Sequence, residues 1–290
     1  MVKPEEAVKE IQNKYHIVGR SEELRKIILA HKIGKNILIE GEVGVGKTTL
    51  AKAVSSYFDS NFFRIDCSEE TLPHNLVGYW DPPLVISKGY IEDSYIYGPL
   101  AKAMKDGGCL FINEINRMPE NTQNTLLTAL DERILDIPKL KTMHAGNGFF
   151  TIATLNPAAH IGVTALGEAI KDRFVWIKLA YQKPEEEIQI IKQETSMNSD
   201  DADKIVSLAE KIILKTRNHV SIRRGSSIRG AIDLSALVNE TDTIKSSRTW
   251  VESAIMALHN KIDLEDGISK TKREVISNIV LAALNDSDFQ

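Results

Sequence analysis

The sequence predicts an α/β fold: a five-stranded parallel sheet between helices, followed by a C-terminal domain built of helices alone. Three observations carry this prediction. Short apolar runs of strand length recur at residues 36–40, 62–66, 109–113, 149–155 and 174–179, separated by stretches long enough for helices. Strands alternating with helices assemble as a parallel sheet covered on both faces. A glycine-rich loop leaves the first run and opens a segment of helical periodicity, and beyond Pro184 no strand-like run follows.

The N-terminal stretch MVKPEEAVKEIQNKY is polar and reads as a short amphipathic helix without the apolar core of a secretion signal, so the expected compartment is cytoplasmic. Residues 36–40 (NILIE) form an apolar run bounded by polar residues and followed directly by Gly41, the pattern of a buried parallel strand entering a loop. After the loop, Leu50, Ala51, Val54 and Tyr57 recur at helical spacing. Residues 72–97, rich in proline, glycine and aromatics, read as an insertion. Pro184 followed by Glu185, Glu186 and Glu187 is a proline-led, acidic first turn of a helix. Five helices are expected from there, near 184–195, 199–219, 226–239, 247–261 and 271–284. The two domains are drawn at 1–182 and 183–290.

A chain of 290 residues has room for one full α/β domain and a smaller companion, at about 100–150 residues for a typical domain. No apolar run approaches the ~20 residues of a membrane-spanning helix, so membrane insertion is not expected. The formal net charge of −4 argues against broad adhesion to nucleic acid. Cys67 and Cys109 are distant and make no CxxC pair, so they read as reduced core thiols rather than a metal or disulfide site.

The chemistry-bearing residues lie at the ends of the apolar runs. Gly41-Glu-Val-Gly44-Val-Gly46-Lys47-Thr48 satisfies the phosphate-loop pattern, whose glycines turn backbone N–H groups onto phosphate oxygens at a helix N-terminus. Gly41, Glu42, Val43, Gly44, Val45, Gly46, Lys47, Thr48 and Thr49 are therefore the expected nucleotide contacts. Lys47 is set to reach the β- and γ-phosphates and Thr48 to offer its hydroxyl to Mg2+. The loop reads phosphates, so adenine against guanine stays open here. Glu114 follows the run Cys109–Asn113 and is the candidate catalytic base, because ligand sites in parallel sheets gather at the carboxyl ends of strands. Asn113 stands where phosphate-loop enzymes hold an aspartate for magnesium, and its amide keeps an acceptor oxygen while losing the charge. Asn156, at the end of the next run and before Pro157, either positions water or simply opens a turn.

The order GEVGVGKT, LFINEINR, TIATLNP, KDRF and GSSIR resembles the AAA+ ATPases, and among them the MoxR family, over nearly the whole chain. Gly98-Pro99-Leu100 fits the segment before the acidic strand. The resemblance implies ATP and Mg2+ as cofactors, with Thr48, Asn113 and Glu114 around the metal. Ile17-Val-Gly-Arg20 resembles the family's segment near the adenine, which adds Val18 to the nucleotide contacts. It makes Asn156 the sensor of the sheet domain. Arg173, in Asp172-Arg173-Phe174, is similar to the arginine finger that reaches a neighbouring subunit's nucleotide. Arg229 is similar to the second sensor, with Arg223 and Arg224 as alternatives in register. Residues 72–97 resemble the helix-2 insertion and residues 134–147 the hairpin before the sensor strand, segments that face the pore or the client. Tyr79, Trp80, Tyr90, Tyr95 and Tyr97 in the first serve either as binding anchors or as packing for its own hairpin.

By that resemblance the chain is a homo-oligomeric ring, a hexamer, acting as a chaperone-like remodelling or activating ATPase on a client protein, among which proteins with a von Willebrand factor A domain are typical. Two alternatives stand beside it. One is a nucleotide-controlled binding module in which Asn113 makes hydrolysis negligible, a reading that Asn113→Asp tests through a rise in turnover. The other is a nucleic-acid-stimulated motor, recognisable by stimulation that falls steeply with salt.

Overall fold

The computed structural model describes residues 3–140, 142–157, 166–197, 201–241 and 246–286. The chain divides into two compact units, residues 1–180 and 181–290. In the first, helices α1 (Pro4–Lys14) and α2 (Ser21–Lys32) precede strand β1 (Asn36–Gly41), helix α3 (Lys47–Tyr57) and strand β2 (Phe62–Asp66). Helix α4 (Pro73–Val77), strand β3 (Gly78–Trp80), helix α5 (Pro82–Lys88) and strand β4 (Tyr95–Tyr97) occupy the stretch expected to be an insertion. Helix α6 (Pro99–Asp106), strand β5 (Cys109–Asn113), helix α7 (Glu120–Asp131), strands β6 (Ile134–Leu135), β7 (Met143–His144) and β8 (Phe150–Leu155), helix α8 (Glu168–Lys171) and strand β9 (Phe174–Leu179) complete the unit.

Strands β2, β5, β8, β1 and β9 pair in that order, every neighbour parallel. This is the five-stranded parallel sheet expected from the apolar runs. The central strands are buried along almost their whole length because helices cover both faces. Cys109 on β5 lies close to Ser55 on α3, which puts the odd-numbered side chains of β5 on the face toward that helix. Burial pushes the Cys67 and Cys109 thiols up to about 12, so both are inert packing groups at neutral pH.

Ribbon β3–β4 is antiparallel, and so is β6–β7. Trp80 meets Tyr90 and Tyr95 edge-on at 4.9 and 5.1 Å, and Tyr95 meets Tyr97 at 5.2 Å. Trp80 Nε1 donates to the Pro138 carbonyl at 3.1 Å. Trp80, Tyr95 and Tyr97 thus pack their own hairpin, whereas Tyr79 and Tyr90 are about half exposed.

The second unit holds α9 (Pro184–Thr195), α10 (Ala202–Arg217), strand β10 (Ile222–Arg224), α11 (Ile228–Asn239), α12 (Ser247–Leu258), strand β11 (Asp263–Leu264) and α13 (Lys272–Asn285). Ile191, Ile212, Leu234, Trp250 and Ile276 are fully buried in its core. The expectation of helices alone needs one correction: β10 and β11 form a short antiparallel ribbon. Its pairing is too short to impose a period-2 pattern, and its partners lie about forty residues apart in sequence. Helix α11 begins at Ile228, two residues later than expected, because the Ser226 N–H is bonded to Thr216 Oγ1 and Ser227 is an extended cap. Helix α12 stops at Leu258 instead of 261, in a turn where the Lys261 N–H bonds the Leu258 carbonyl. The expected start of α10 at residue 199 lies outside the described residues. Thr271 caps α13, its hydroxyl accepting from the Glu274 N–H while Glu274 reaches back. Among the described residues no helix is long and apolar enough to cross a membrane.

Candidate nucleotide site

Because the five strands run parallel, the loops after β1, β8 and β5 emerge at one edge of the sheet, and this edge collects the sequence's polar candidates. Gly41 closes β1 opposite Leu179 of β9. A Cβ at Gly41 would sit 2.5 Å from the Leu179 carbonyl oxygen, so only glycine lets the loop leave at this register. Gly46 takes φ 91° and caps α3, a left-handed conformation costly for other residues. Lys47 Nζ lies 2.5 Å from the Gly41 carbonyl and 2.8 Å from that of Glu42, curled over the loop. Thr48 follows in the first turn of α3, half-buried, while Val43 and Thr49 are exposed.

Arg20 clamps this loop from behind. Its guanidinium donates to the Val45 carbonyl at 2.9 Å and to the Ala180 carbonyl at 2.8 Å, and pairs with Glu23 at 3.0 Å. Arg20 lies next to Val18 in the segment expected near the base, and Gln12 Nε2 holds that segment through the Gly19 carbonyl. Nothing local in the chain signals the clamp, since its partners are 25 and 160 residues away.

Glu114 follows β5 with φ 55° and ψ 53°, an uncommon backbone for a non-glycine residue. Its N–H donates to Thr154 Oγ1 at 3.0 Å, and its Oε2 pairs with Arg117 at 3.2 Å. Asn156 directly follows β8, the neighbouring strand, is 9 % exposed, and its carbonyl accepts from Asn116 Nδ2 at 3.3 Å. Glu114 and Asn156 therefore lie one strand apart at the same edge, with the loop after β1 next in line. Asn113 faces α3, the correct side for the loop's Thr48. Its Nδ2 donates to Asp66 Oδ1 at 2.8 Å and its Oδ1 accepts from Thr154 Oγ1 at 3.0 Å. Asp66 is held by Arg64 at 2.8 and 2.5 Å, and this contact, then Asn113, keeps its carboxyl below the usual carboxylate range.

The donor set fits magnesium only in a particular way. Among the described residues no group of three or more His, Cys, Asp or Glu side chains converges on one point. A hydroxyl at Thr48 and one carboxylate at Glu114, completed by water and phosphate oxygens, is the sparse protein contribution typical of this ion. Asn113 has both polar atoms committed, so its part in a metal shell is reduced.

Arg173 does not join this edge. It precedes β9, whose first residue pairs with Asn36 at the start of β1. It sits at the amino edge, a six-residue strand away from the loop, or roughly 17–20 Å. There it pairs with Asp131 at 3.1 Å and donates to the Ala169 carbonyl at 2.9 Å. Arg229 belongs to the second unit, exposed in the first turn of α11. Arg224 and Arg223 are engaged by Asp263 at 2.9 Å and Asp266 at 3.6 Å.

A glycine loop between a parallel strand and a helix, with an acid and an amide at the ends of adjacent strands, defines a phosphate-loop nucleotide-binding protein. The profile of the AAA domain (dynein-related subfamily) matches residues 36–174. The chain is 33 % identical over 209 residues to the uncharacterized protein YojN of Bacillus subtilis, covering 71 % of this chain and 68 % of that one. It is 34 % identical to an uncharacterized protein of Staphylococcus saprophyticus, covering 71 % and 79 %. Residues 36–174 thus carry an AAA domain of the dynein-related subfamily, and the chain belongs to one family with these uncharacterized bacterial relatives. Among solved structures it resembles a Cytophaga hutchinsonii protein proposed to be an ATPase, with TM-score 0.53, 22 % identity and coverage of 96 % and 94 %. It also resembles the RuvB Holliday junction branch migration motor of Thermotoga maritima, with TM-score 0.52, 18 % identity and coverage of 83 % and 70 %. At these identities the likeness is one of fold.

Proposed function

We propose that this chain is a MoxR-type ring ATPase that hydrolyses ATP between subunits, in a ring of six, and uses the cycle to remodel or activate a client protein. The observation that carries the reading is the position of Arg173. A six-residue strand separates it from its own phosphate loop, so an arginine finger there has to serve a neighbour's nucleotide.

In this reading the N–H groups at the start of α3 and Lys47 hold the β- and γ-phosphates, and Val18 lies beside the base. Thr48 and Glu114 would hold Mg2+, which supplies charge neutralisation on the phosphate oxygens. Glu114 accepts a proton from the water that attacks the γ-phosphorus, and Asn156 orients that water. The bond to the β-phosphate oxygen breaks and ADP leaves with the negative charge. Arg173 from the adjacent subunit steadies the charge spreading over the transferred oxygens, and such fingers contribute about 10³–10⁵ in rate. Arg229 carries the state of the γ-phosphate into the helical unit, a role supported by the commitment of Arg223 and Arg224 to Asp266 and Asp263. The domains of the working protein are taken as 1–182 and 183–290, with the client side at 72–97 and 134–147. A client with a von Willebrand factor A domain is the partner class the MoxR likeness suggests.

The test is steady-state ATP hydrolysis against protein concentration, with Glu114→Gln and Arg173→Ala in parallel, in magnesium and then with the metal chelated. Turnover per subunit should climb with concentration, vanish on chelation and collapse in both variants. Binding without turnover above the Glu114→Gln background at any concentration would replace the ATPase by a nucleotide-controlled binding module.

A further inference from the structure

We propose that Asp66 is a positioning residue of the site, and that its carboxylate is the reason an amide occupies position 113. The inference rests on the reading of Glu114 as the base. The contacts form a chain across three neighbouring strands, from Asp66 on β2 to Asn113 on β5 to Thr154 on β8 and back to the Glu114 N–H. Each donor and acceptor role along it follows from the carboxylate at its head. An ionised carboxylate only accepts, so the Asn113 NH2 must face Asp66 and the Asn113 oxygen must face Thr154. The Thr154 hydroxyl then spends its proton on Asn113, which leaves its lone pair to accept the Glu114 N–H. Thr154 is fully buried, so that hydroxyl is shielded from solvent on its way to Glu114. The Glu114 N–H bond in turn fixes a residue whose left-handed backbone is otherwise unfavourable, and so aims the carboxylate that follows. Arg64 locks the other end by gripping Asp66 with two nitrogens.

The consequence concerns the residue expected at 113 in the family. An aspartate there would bring a second carboxylate within hydrogen-bond distance of Asp66, where the two repel. It would also have no N–H to give. The amide is thus the counterpart of Asp66, and Asn113→Asp alone breaks the chain instead of restoring an active site. Asp66→Asn with Asn113→Asp reverses the pair: the new amide at 66 donates, the new carboxylate at 113 accepts from both that amide and Thr154, and Glu114 keeps its bond. Asp66→Asn alone leaves a carbonyl oxygen at 66 for the Asn113 amide and is the mild change.

The experiment compares wild type with Asn113→Asp, Asp66→Asn and the double variant. It measures kcat and KM for ATP, ADP affinity in chelator, and thermal midpoint. The expected result is a fall in kcat of about tenfold or more in Asn113→Asp from misaimed Glu114, with KM and ADP affinity within about twofold. Asp66→Asn, which keeps an acceptor oxygen for the Asn113 amide, loses less kcat than Asn113→Asp, and the double variant recovers most of the kcat lost in Asn113→Asp. A faster Asn113→Asp enzyme, or a double variant no better than Asn113→Asp, overturns the proposal. If wild type has no turnover, the base assignment for Glu114 fails separately, and the thermal midpoints decide. There too Asn113→Asp must be the least stable and the double variant must be restored; without that order the proposal is overturned.

Discussion

Arg217 offers the sharpest prediction because its surroundings set the size of the effect. Its NH1 meets both oxygens of Glu187, at 3.1 and 2.9 Å, and the two side chains are 10 % and 5 % exposed. Its Nε donates to the Ser226 carbonyl at 2.9 Å, and its guanidinium stacks 3.8 Å from the Tyr181 ring. Gly225 permits this approach, since a Cβ there would lie 2.6 Å from the Arg217 Cα. Arg217→Ala takes from the buried Glu187 carboxylate, near Glu210, the guanidinium that meets both its oxygens, and leaves the Ser226 carbonyl without this donor. Removing one partner of a buried ion pair costs about 3–5 kcal/mol. In a unit of residues 181–290, that is a fall of roughly 15–30 °C in its melting temperature. Trp250, fully buried in this unit, reports the transition by fluorescence once Trp80 and Trp176 are changed to phenylalanine. The control is Glu187→Leu with Arg217→Met, which replaces the pair by apolar volume and should cost no more than about 1–2 kcal/mol. A loss below about 1 kcal/mol in Arg217→Ala would refute the reasoning, because it would mean that water already solvates the pair.

Two further outcomes follow from local geometry. Gly41→Ala places a methyl 2.5 Å from the Leu179 oxygen and 3.0 Å from Val45 Cγ2, and should cost about 1–3 kcal/mol and weaken ADP binding in chelator by about tenfold. Unchanged affinity in a calorimetric titration would show that the β1–β9 contact does not fix the loop. Glu210 is 5 % exposed with one oxygen lacking a hydrogen-bond partner, and burial first, then Glu187, pushes its carboxyl above the ordinary range. A pKa raised by folding contributes stability that is present below the unfolded value and lost as pH rises through the folded one. Glu210→Gln should therefore raise the melting temperature by about 2–5 °C at pH 7.5 and leave it unchanged near pH 4. An equal gain at both pH values would contradict this.

What was legible in the sequence divides by the distance over which the signal acts. The five core strands are apolar runs bounded by polar residues, a signal contained in each run, and the structure has them at 36–41, 62–66, 109–113, 150–155 and 174–179. Helix α9 was legible for the same reason, with Pro184 and three acids marking its first turn. Glu114 and Asn156 could be placed at the carboxyl edge of the sheet because each follows such a run. The β10–β11 ribbon could not, since neither strand is long enough to show alternation. Arg20 and Asp66 were missed because their work is done on partners 25, 160 and 47 residues away. Residue type at Asn113 was visible as a departure from the family, but its cause lies in Asp66, which no local pattern connects to it.

The three charged groups assigned to turnover share one property that bears on what limits the cycle. Lys47 lies on two backbone carbonyls, Glu114 on Arg117, and Arg173 on Asp131. Each must exchange an internal partner for phosphate, water or a neighbour's nucleotide. For Lys47 the exchange is from neutral dipoles to a charged phosphate and runs downhill. The other two are ion pairs with side chains 31–58 % exposed, and such pairs are worth about 0–1 kcal/mol. A finger that accelerates hydrolysis by about 10³–10⁵ supplies roughly 4–7 kcal/mol. Opening the Arg173–Asp131 pair is thus small beside the gain on reaching a neighbour's phosphate. In the proposed ring the step that governs turnover is the encounter of subunits that brings the two edges of the sheet together, and concentration is the variable through which it shows.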